Sequence, residues 1–107
     1  MPNGDILLCQ LNDIPDGKAK RFPTGDGSIF IVRQGQQVYG YKNACPHLGV
    51  ELDFNPDEFL NNEGTHIICS THGALFEIDS GNCISGPCTG DRLSPVPLEV
   101  SSGVVYY

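Results

Sequence analysis

The chain has 107 residues, of which 39% are hydrophobic and 18% charged, and its formal net charge is −7. This length predicts a single domain over residues 1–107, and the hydrophobic content excludes an intrinsically disordered protein. The acidic balance makes nucleic acids and anionic membranes poor partners. Residues 1–5 contain no basic side chain, and the apolar run at residues 6–9 is too short for a signal sequence or a membrane span. We therefore expect a cytoplasmic protein that does not insert into a membrane.

The first part of the chain alternates short apolar runs with turn residues. Strands are predicted near residues 6–8, 28–32 and 37–41, and the Gly-containing segment 34–36 makes a turn between the last two. We interpret these three strands as a meander. Later, residues 55–60 combine an Asn, a Pro and early acidic residues, which predicts a single helical turn.

The second part continues in the same way. Strands are predicted over residues 65–69 and 74–78, with a hairpin turn at 79–82, and residues 98–100 should pair with 104–106 across Ser102 and Gly103. No repeat, linker or amphipathic helix is evident. The pattern predicts an all-β fold, a small antiparallel sandwich or barrel.

Two short segments carry the chemistry of this sequence. The first box is Cys45-Pro46-His47, and the second box, Cys69-Ser70-Thr71-His72, follows after 21 intervening residues. Each box offers one thiolate and one imidazole, and a glycine follows each closely. Most Cys2His2 zinc sites take their cysteines from one close pair and their histidines from another. Here the two types are mixed within each box, so two facing loops would place both sulfurs at one pole and both imidazoles at the other, an arrangement suited to a binuclear cluster.

Cys-Pro-His-Leu-Gly followed by Cys-x-x-His-Gly and a downstream Gly86-Pro87 resembles the Rieske family, most strongly over residues 39–100. In that family two thiolates hold one iron of a 2Fe-2S cluster and two histidines hold the other. The resemblance therefore implies that Cys45, His47, Cys69 and His72 bind one such cluster. It also implies a cluster-binding subdomain, here about residues 44–88, inserted between the strands of an antiparallel base. Gly86-Pro87 would then cover the cluster from the side.

The branch that this chain resembles is that of the small Rieske-type ferredoxins and nitrite reductase small subunits. The gap between the boxes is longer than is usual for the ferredoxins. High-potential relatives carry a disulfide between the cluster loops and two hydroxyl donors near the second box. The positions of the disulfide hold Val50 and Thr71, and those of the donors hold Ala74 and Phe76. We therefore expect a potential near the low end of the Rieske span of about −150 to +300 mV.

The remaining cysteines and His66 have simpler explanations. Cys9, Cys83 and Cys88 are expected to pack as small hydrophobic residues, since free cysteine is among the most buried residue types. A disulfide between Cys83 and Cys88 is disfavoured in a reducing cytosol. His66 lies in a predicted strand, where an ordinary structural role is expected.

These features predict an electron-transfer protein rather than an enzyme. It would be a ferredoxin, monomeric when free, that takes single electrons from a flavin reductase to an oxygenase or another reductase. Its acidic charge would steer it toward basic docking faces. The alternatives are a small subunit of a nitrite reductase complex, a redox-sensing regulatory protein and a structural zinc module.

Overall fold

The fold is built from short antiparallel strands. This computed structural model describes residues 7–24, 27–44, 46, 52, 58–61, 63–69, 73–86 and 89–106. Its strands are β1 (Leu7–Gln10), β2 (Ala19–Thr24), β3 (Gly27–Gln34), β4 (Gln37–Lys42), β5 (His66–Ile68), β6 (Leu75–Glu77), β7 (Cys83–Ser85), β8 (Pro95–Val96), β9 (Glu99–Ser101) and β10 (Val104–Tyr106). A 3-10 turn at Leu11–Asp13 follows β1, and these ranges contain no α-helix. Within them, no helix is long and apolar enough to cross a membrane.

The strands form three sheets. The terminal sheet has the order β1-β10-β9, the central sheet β2-β3-β4-β8 and the outer sheet β5-β6-β7. Every pairing between neighbouring strands in these sheets is antiparallel. The predicted all-β antiparallel fold is confirmed.

Strand β3 lies between two hydrophobic cores. Its residues Phe30 and Val32 belong to the main core, which they share with residues of the outer sheet. Ile31, which points to the opposite face, belongs to the terminal core together with residues of β1 and β10. Because successive side chains of a strand point to opposite faces, a strand covered on both sides must be apolar throughout. The run Ile29–Val32 is accordingly buried at every position.

Two predicted hairpins are confirmed. Strands β3 and β4 pair from Ile29 with Lys42 to Gln34 with Gln37, and Gly35 makes the turn at φ +63°. Strands β9 and β10 pair across Ser102 and Gly103, whose φ angles are +51° and +77°. Two consecutive positive φ angles are typical of the tight turns that match the twist of a hairpin.

The predicted meander is wrong in its first strand. Strand β1 pairs with β10 in the terminal sheet, and the strand beside β3 is β2. The sequence of β2, Ala-Lys-Arg-Phe-Pro-Thr, includes two cations and a proline, so it lacks a strand-like alternation. It lies at the edge of the central sheet and is only partly buried, where such residues are tolerated.

The helical turn predicted over residues 55–60 is also wrong where the structure describes it. Glu58 and Phe59 have no regular structure, and Leu60 makes an antiparallel bridge with Ile67. Residues 55–57 lie outside the described ranges. Phe59 is fully buried and stacks on Phe30, with ring centroids 4.2 Å apart. Burial of this ring in the main core stabilises an extended path in which residues 58–61 run beside β5.

Candidate metal centre

The second box lies in the hairpin loop between β5 and β6. The amide of Cys69 donates to the carbonyl of Ala74 at 2.9 Å, and the amide of Gly73 donates back to the carbonyl of Cys69 at 2.7 Å. Gly73 has φ +70°, which glycine adopts without strain. Cys69 is fully buried in the main core. The hairpin thus holds this thiol at a defined, dry position. His72 of the same box lies outside the described residues.

The first box lies in the segment that follows β4. Asn43, just after β4, donates from its backbone amide to the carbonyl of Ser28 at 2.9 Å and from its side chain to the Ser28 hydroxyl at 3.1 Å. Its side-chain oxygen accepts the backbone amide of Leu52 at 2.8 Å. Cys45 and His47 lie between these two anchors and outside the described residues, so their assignment as ligands stays a prediction.

The ends of both box-containing segments enter the same core. Leu52, Cys69 and Ala74 are fully buried and belong to the main core, together with Phe59. Phe59 accepts the backbone amide of Ile68 at 2.8 Å, directly before Cys69. Facing loops of the predicted kind need such a common base, because two segments attached to different cores would not keep a fixed separation.

A third segment approaches the second box at Gly86. This residue has φ +104°, and a Cβ atom added to it would lie 2.8 Å from the Cα atom of Ala74. Contacts of that length do not occur, so only glycine permits so close an approach at this point. Pro87 lies outside the described residues, and its predicted role as a cover stays a prediction.

Two of the other three cysteines pack as predicted. Cys9 is 7% exposed in the terminal core and Cys83 is 5% exposed in the main core. The pKa of Cys9 is raised, mainly by burial and further by the Asp13 carboxylate, while Lys20 opposes the shift. The thiol of Cys83 donates to the carbonyl of Ser85 at 3.3 Å. The raised pKa of Cys9 disfavours a reactive thiolate at neutral pH. Cys88 lies outside the described residues.

His66, on β5, is partly buried, and its Nδ1 atom lies 2.9 Å from the hydroxyl of Thr65. Its backbone amide donates to the side chain of Asn61. An ordinary role in a strand explains these contacts.

Asn43, which lies at the base of the first box, is not among the residues predicted from the sequence. A signal was available, since a polar residue directly after an apolar strand often caps or anchors the loop that follows. Phe59 is not predicted either, because an apolar residue within a polar segment has no periodicity to indicate its burial.

The residues present fit a 2Fe-2S cluster. The donor set has two thiols and two imidazoles, one described thiol is fully buried, and Gly86 brings a third segment into close contact with the second box. Thiolate and imidazole are the ligands of Rieske centres. The described residues by themselves contain no group of three or more metal-ligating side chains, which is expected because three of the four candidate ligands are not among them.

Comparison with known proteins identifies the family. The profile described as "Rieske [2Fe-2S] domain" matches residues 5–100. The 3-phenylpropionate/cinnamic acid dioxygenase ferredoxin subunit of Shigella flexneri is 28% identical over 101 residues, which cover 94% of this chain and 90% of the relative.

Solved structures agree. A chain in the complex of reduced oxygenase and oxidized ferredoxin of carbazole 1,9a-dioxygenase is 28% identical, with a TM-score of 0.75 and coverage of 94% of this chain and 89% of that one. The ferredoxin of carbazole 1,9a-dioxygenase from Nocardioides aromaticivorans IC177 is 22% identical and shares the fold, with a TM-score of 0.77 and coverage of 94% and 93%. Since the family profile spans most of the chain, this protein belongs to the Rieske [2Fe-2S] domain family, its cofactor is a Rieske-type 2Fe-2S cluster, and it is an electron carrier of the ferredoxin type.

Proposed function

We propose that this protein is the ferredoxin component of an oxygenase system and carries single electrons from a flavin reductase to a ring-hydroxylating oxygenase. The observation that carries the proposal is the similarity to dioxygenase ferredoxin subunits over 94% of this chain and 90% of theirs. Because the match extends over nearly the whole of both chains, the similarity concerns an entire ferredoxin subunit of about this size. The whole chain, 1–107, would act as one domain in the cytoplasm, as a monomer, with a cluster-binding subdomain over about residues 44–88.

The cluster would be held by Cys45 and Cys69 on one iron and by His47 and His72 on the other. When bound, it supplies one-electron acceptance and release. The protein's own contribution is to exclude water from the thiolate of Cys69, which is fully buried, and to hold both loops on a common core. A fixed frame limits the rearrangement that accompanies each electron transfer.

The charge distribution supports docking through the part that contains the boxes. Residues 43–107 have nine acidic side chains and one basic one, whereas residues 1–42 have four acidic and five basic ones. A partner with a basic face would therefore be attracted mainly by residues 43–107, whose formal charge is −8, whereas residues 1–42, with a formal charge of +1, add little to the attraction. Such a field increases the rate of association and orients the carrier before contact.

A test begins with the purified protein, which should contain two irons and two labile sulfides per chain. Cys45→Ser should abolish the cluster, whereas Cys88→Ser serves as the matched control and should retain its spectrum. Stoichiometric zinc, or four sulfur ligands by X-ray absorption, would contradict the ligand assignment.

The partner is tested by turnover. The reduced protein should support product formation by a ring-hydroxylating oxygenase, and the rate should fall as ionic strength rises, because salt screens the attraction between the acidic carrier and a basic face. The test uses a panel of ring-hydroxylating oxygenases. A redox sensor would be reduced and reoxidised without product formation by any of them, and that result would refute the carrier role.

A further inference from the structure

The two box-containing segments are closed at their base by different kinds of hydrogen bond. The second is closed by the backbone pair of Cys69 and Ala74, which continues the β5–β6 ladder. The first begins where β4 ends at Lys42 and returns to the core at Leu52, and there the amide of Leu52 is bound by the side chain of Asn43. The base of the first segment is thus closed by a side-chain hydrogen bond, whereas the base of the second is closed by backbone hydrogen bonds of a sheet.

The geometry of Asn43 explains how it can do so. Its side-chain nitrogen donates to the Ser28 hydroxyl at 3.1 Å, which turns the side-chain oxygen toward the amide of Leu52 at 2.8 Å. The same hydroxyl lies 3.4 Å from a guanidinium nitrogen of Arg21. Asn43 is only 5% exposed and Ser28 only 9%. Buried hydrogen bonds of this kind compete with little water, so the amide keeps one orientation.

Both contacts of the Asn43 amide reach fixed points of the fold. Ser28 belongs to β3, the strand between the two cores, and Leu52 is fully buried in the main core. The backbone amide of Asn43 also donates to the carbonyl of Ser28 at 2.9 Å. The eight residues 44–51, which contain the first box, therefore start and end at points joined by one side chain.

We propose that Asn43 is a positioning residue of the metal centre: by joining Ser28 to Leu52 it sets the separation of the two ends of residues 44–51, and through them the placement of Cys45 and His47. The proposal rests on the ligand assignment made above. It goes beyond that assignment because Asn43 binds no metal itself, and its loss acts on the cluster through the loop.

The test compares Asn43→Ala with Asn61→Ala in the purified holoprotein. Asn61 is a matched control, because its side-chain oxygen also accepts backbone amides in a loop, those of Thr65 at 2.9 Å and His66 at 3.1 Å. Both variants lose bonds from backbone amides to a side-chain oxygen, which are buried at Asn43 and more exposed at Asn61, but only Asn43 borders a box. The readouts are the rate at which an iron chelator removes the cluster, the EPR spectrum of the reduced protein, and the thermal midpoint.

Asn43→Ala should lose iron to the chelator about tenfold faster than wild type, which corresponds to about 1.4 kcal/mol and lies within the cost of leaving the buried amide of Leu52 without an acceptor. Its EPR signal should broaden or shift, because the loop samples several arrangements. Asn61→Ala should keep the wild-type EPR signal and chelation rate while its thermal midpoint falls. If Asn43→Ala does not fold, Ser28→Ala replaces it, since that variant retains the Asn43 oxygen but frees the amide to rotate, and the same changes are expected in smaller degree.

A lower thermal midpoint with wild-type EPR signal and chelation rate, in whichever of the two variants folds, would overturn the proposal and leave Asn43 with a purely structural role. This outcome is distinct from failure of the ligand assignment, which would show in the wild-type protein as stoichiometric zinc or as four sulfur ligands by X-ray absorption.

Discussion

Phe59 joins the long segment between the two boxes to the main core. Its side chain is fully buried, its ring lies 4.2 Å from that of Phe30 at an angle of 9°, and its carbonyl accepts the amide of Ile68 at 2.8 Å. Replacing it by alanine would keep the backbone bond but remove the ring. Of the side chains of residues 58–61, Leu60 would then be the one that still packs against the main core.

The size of the effect follows from burial and stacking. A buried phenylalanine replaced by alanine costs about 3–5 kcal/mol, which includes the cavity that remains. The stack on Phe30 lies within that range, since paired aromatic rings contribute roughly 0.5–1.5 kcal/mol beyond their buried area. With about 4 °C per kcal/mol for a domain near this length, Phe59→Ala should lower the thermal midpoint by about 15 °C. Phe59→Leu keeps most of the volume and should lower it by roughly 5 °C.

The assay is thermal unfolding of the oxidised holoprotein, followed by circular dichroism and by cluster absorbance at one scan rate. Both signals should shift together, because residues 59–61 lie beside β5, the strand that directly precedes Cys69. Ile84→Ala is the control. This side chain is 45% exposed, so its loss should change the stability by no more than about 0.5 kcal/mol, which corresponds to a midpoint shift of about 2 °C. A fall of less than about 4 °C for Phe59→Ala would mean that the segment is not part of the core, and would refute the reasoning.

Three further predictions concern the core and the cluster environment. Tyr41 donates its hydroxyl to the carbonyl of Ile78 at 2.6 Å, and burial, followed by the charge of Asp79, raises the pKa of Tyr41 to about 12. Since this folded-state pKa exceeds the ordinary value near 10, the stabilisation of the folded state by the neutral Tyr41 hydroxyl is complete below pH 10 and is lost as the pH rises toward 12. The loss is at most about 2.7 kcal/mol. Urea unfolding should therefore give a lower unfolding free energy at pH 11.5 than at pH 9, and Tyr41→Phe should lack this difference. Gly81 has φ +76°, and a Cβ there would lie 2.7 Å from the ring of Tyr41, so Gly81→Ala should reduce the unfolding free energy in urea by roughly 2–4 kcal/mol; a loss below about 1 kcal/mol would contradict the close contact. Ala74→Ser would add a hydroxyl beside the second box. If this hydroxyl donates to the cluster with a hydrogen bond about 1 kcal/mol stronger in the reduced state, the midpoint potential should rise by about 40 mV. An unchanged potential in protein-film voltammetry would mean that the hydroxyl does not reach the cluster.

Local features of the sequence predict the boxes and most hairpins. The mixed Cys/His spacing identifies the family because it depends on ligand chemistry rather than on packing. The β9–β10 hairpin is predictable from Ser102 and Gly103 because the turn depends on the backbone freedom of a few adjacent residues. The burial of β3 is visible as an unbroken apolar run.

Only the tertiary structure decides the rest, because the deciding contacts join residues far apart in the chain. Strand β1 pairs with β10 at the opposite end of the sequence, and β2 forms a strand through its partner β3 although its own residues lack a strand pattern. Asn43 and Phe59 have no motif that indicates their partners, which are Leu52 for the amide oxygen and Phe30 for the ring. Propensity and periodicity describe a residue and its near neighbours, whereas the free energy of a buried hydrogen bond or a stacked ring depends on which distant group the folded chain brings against it.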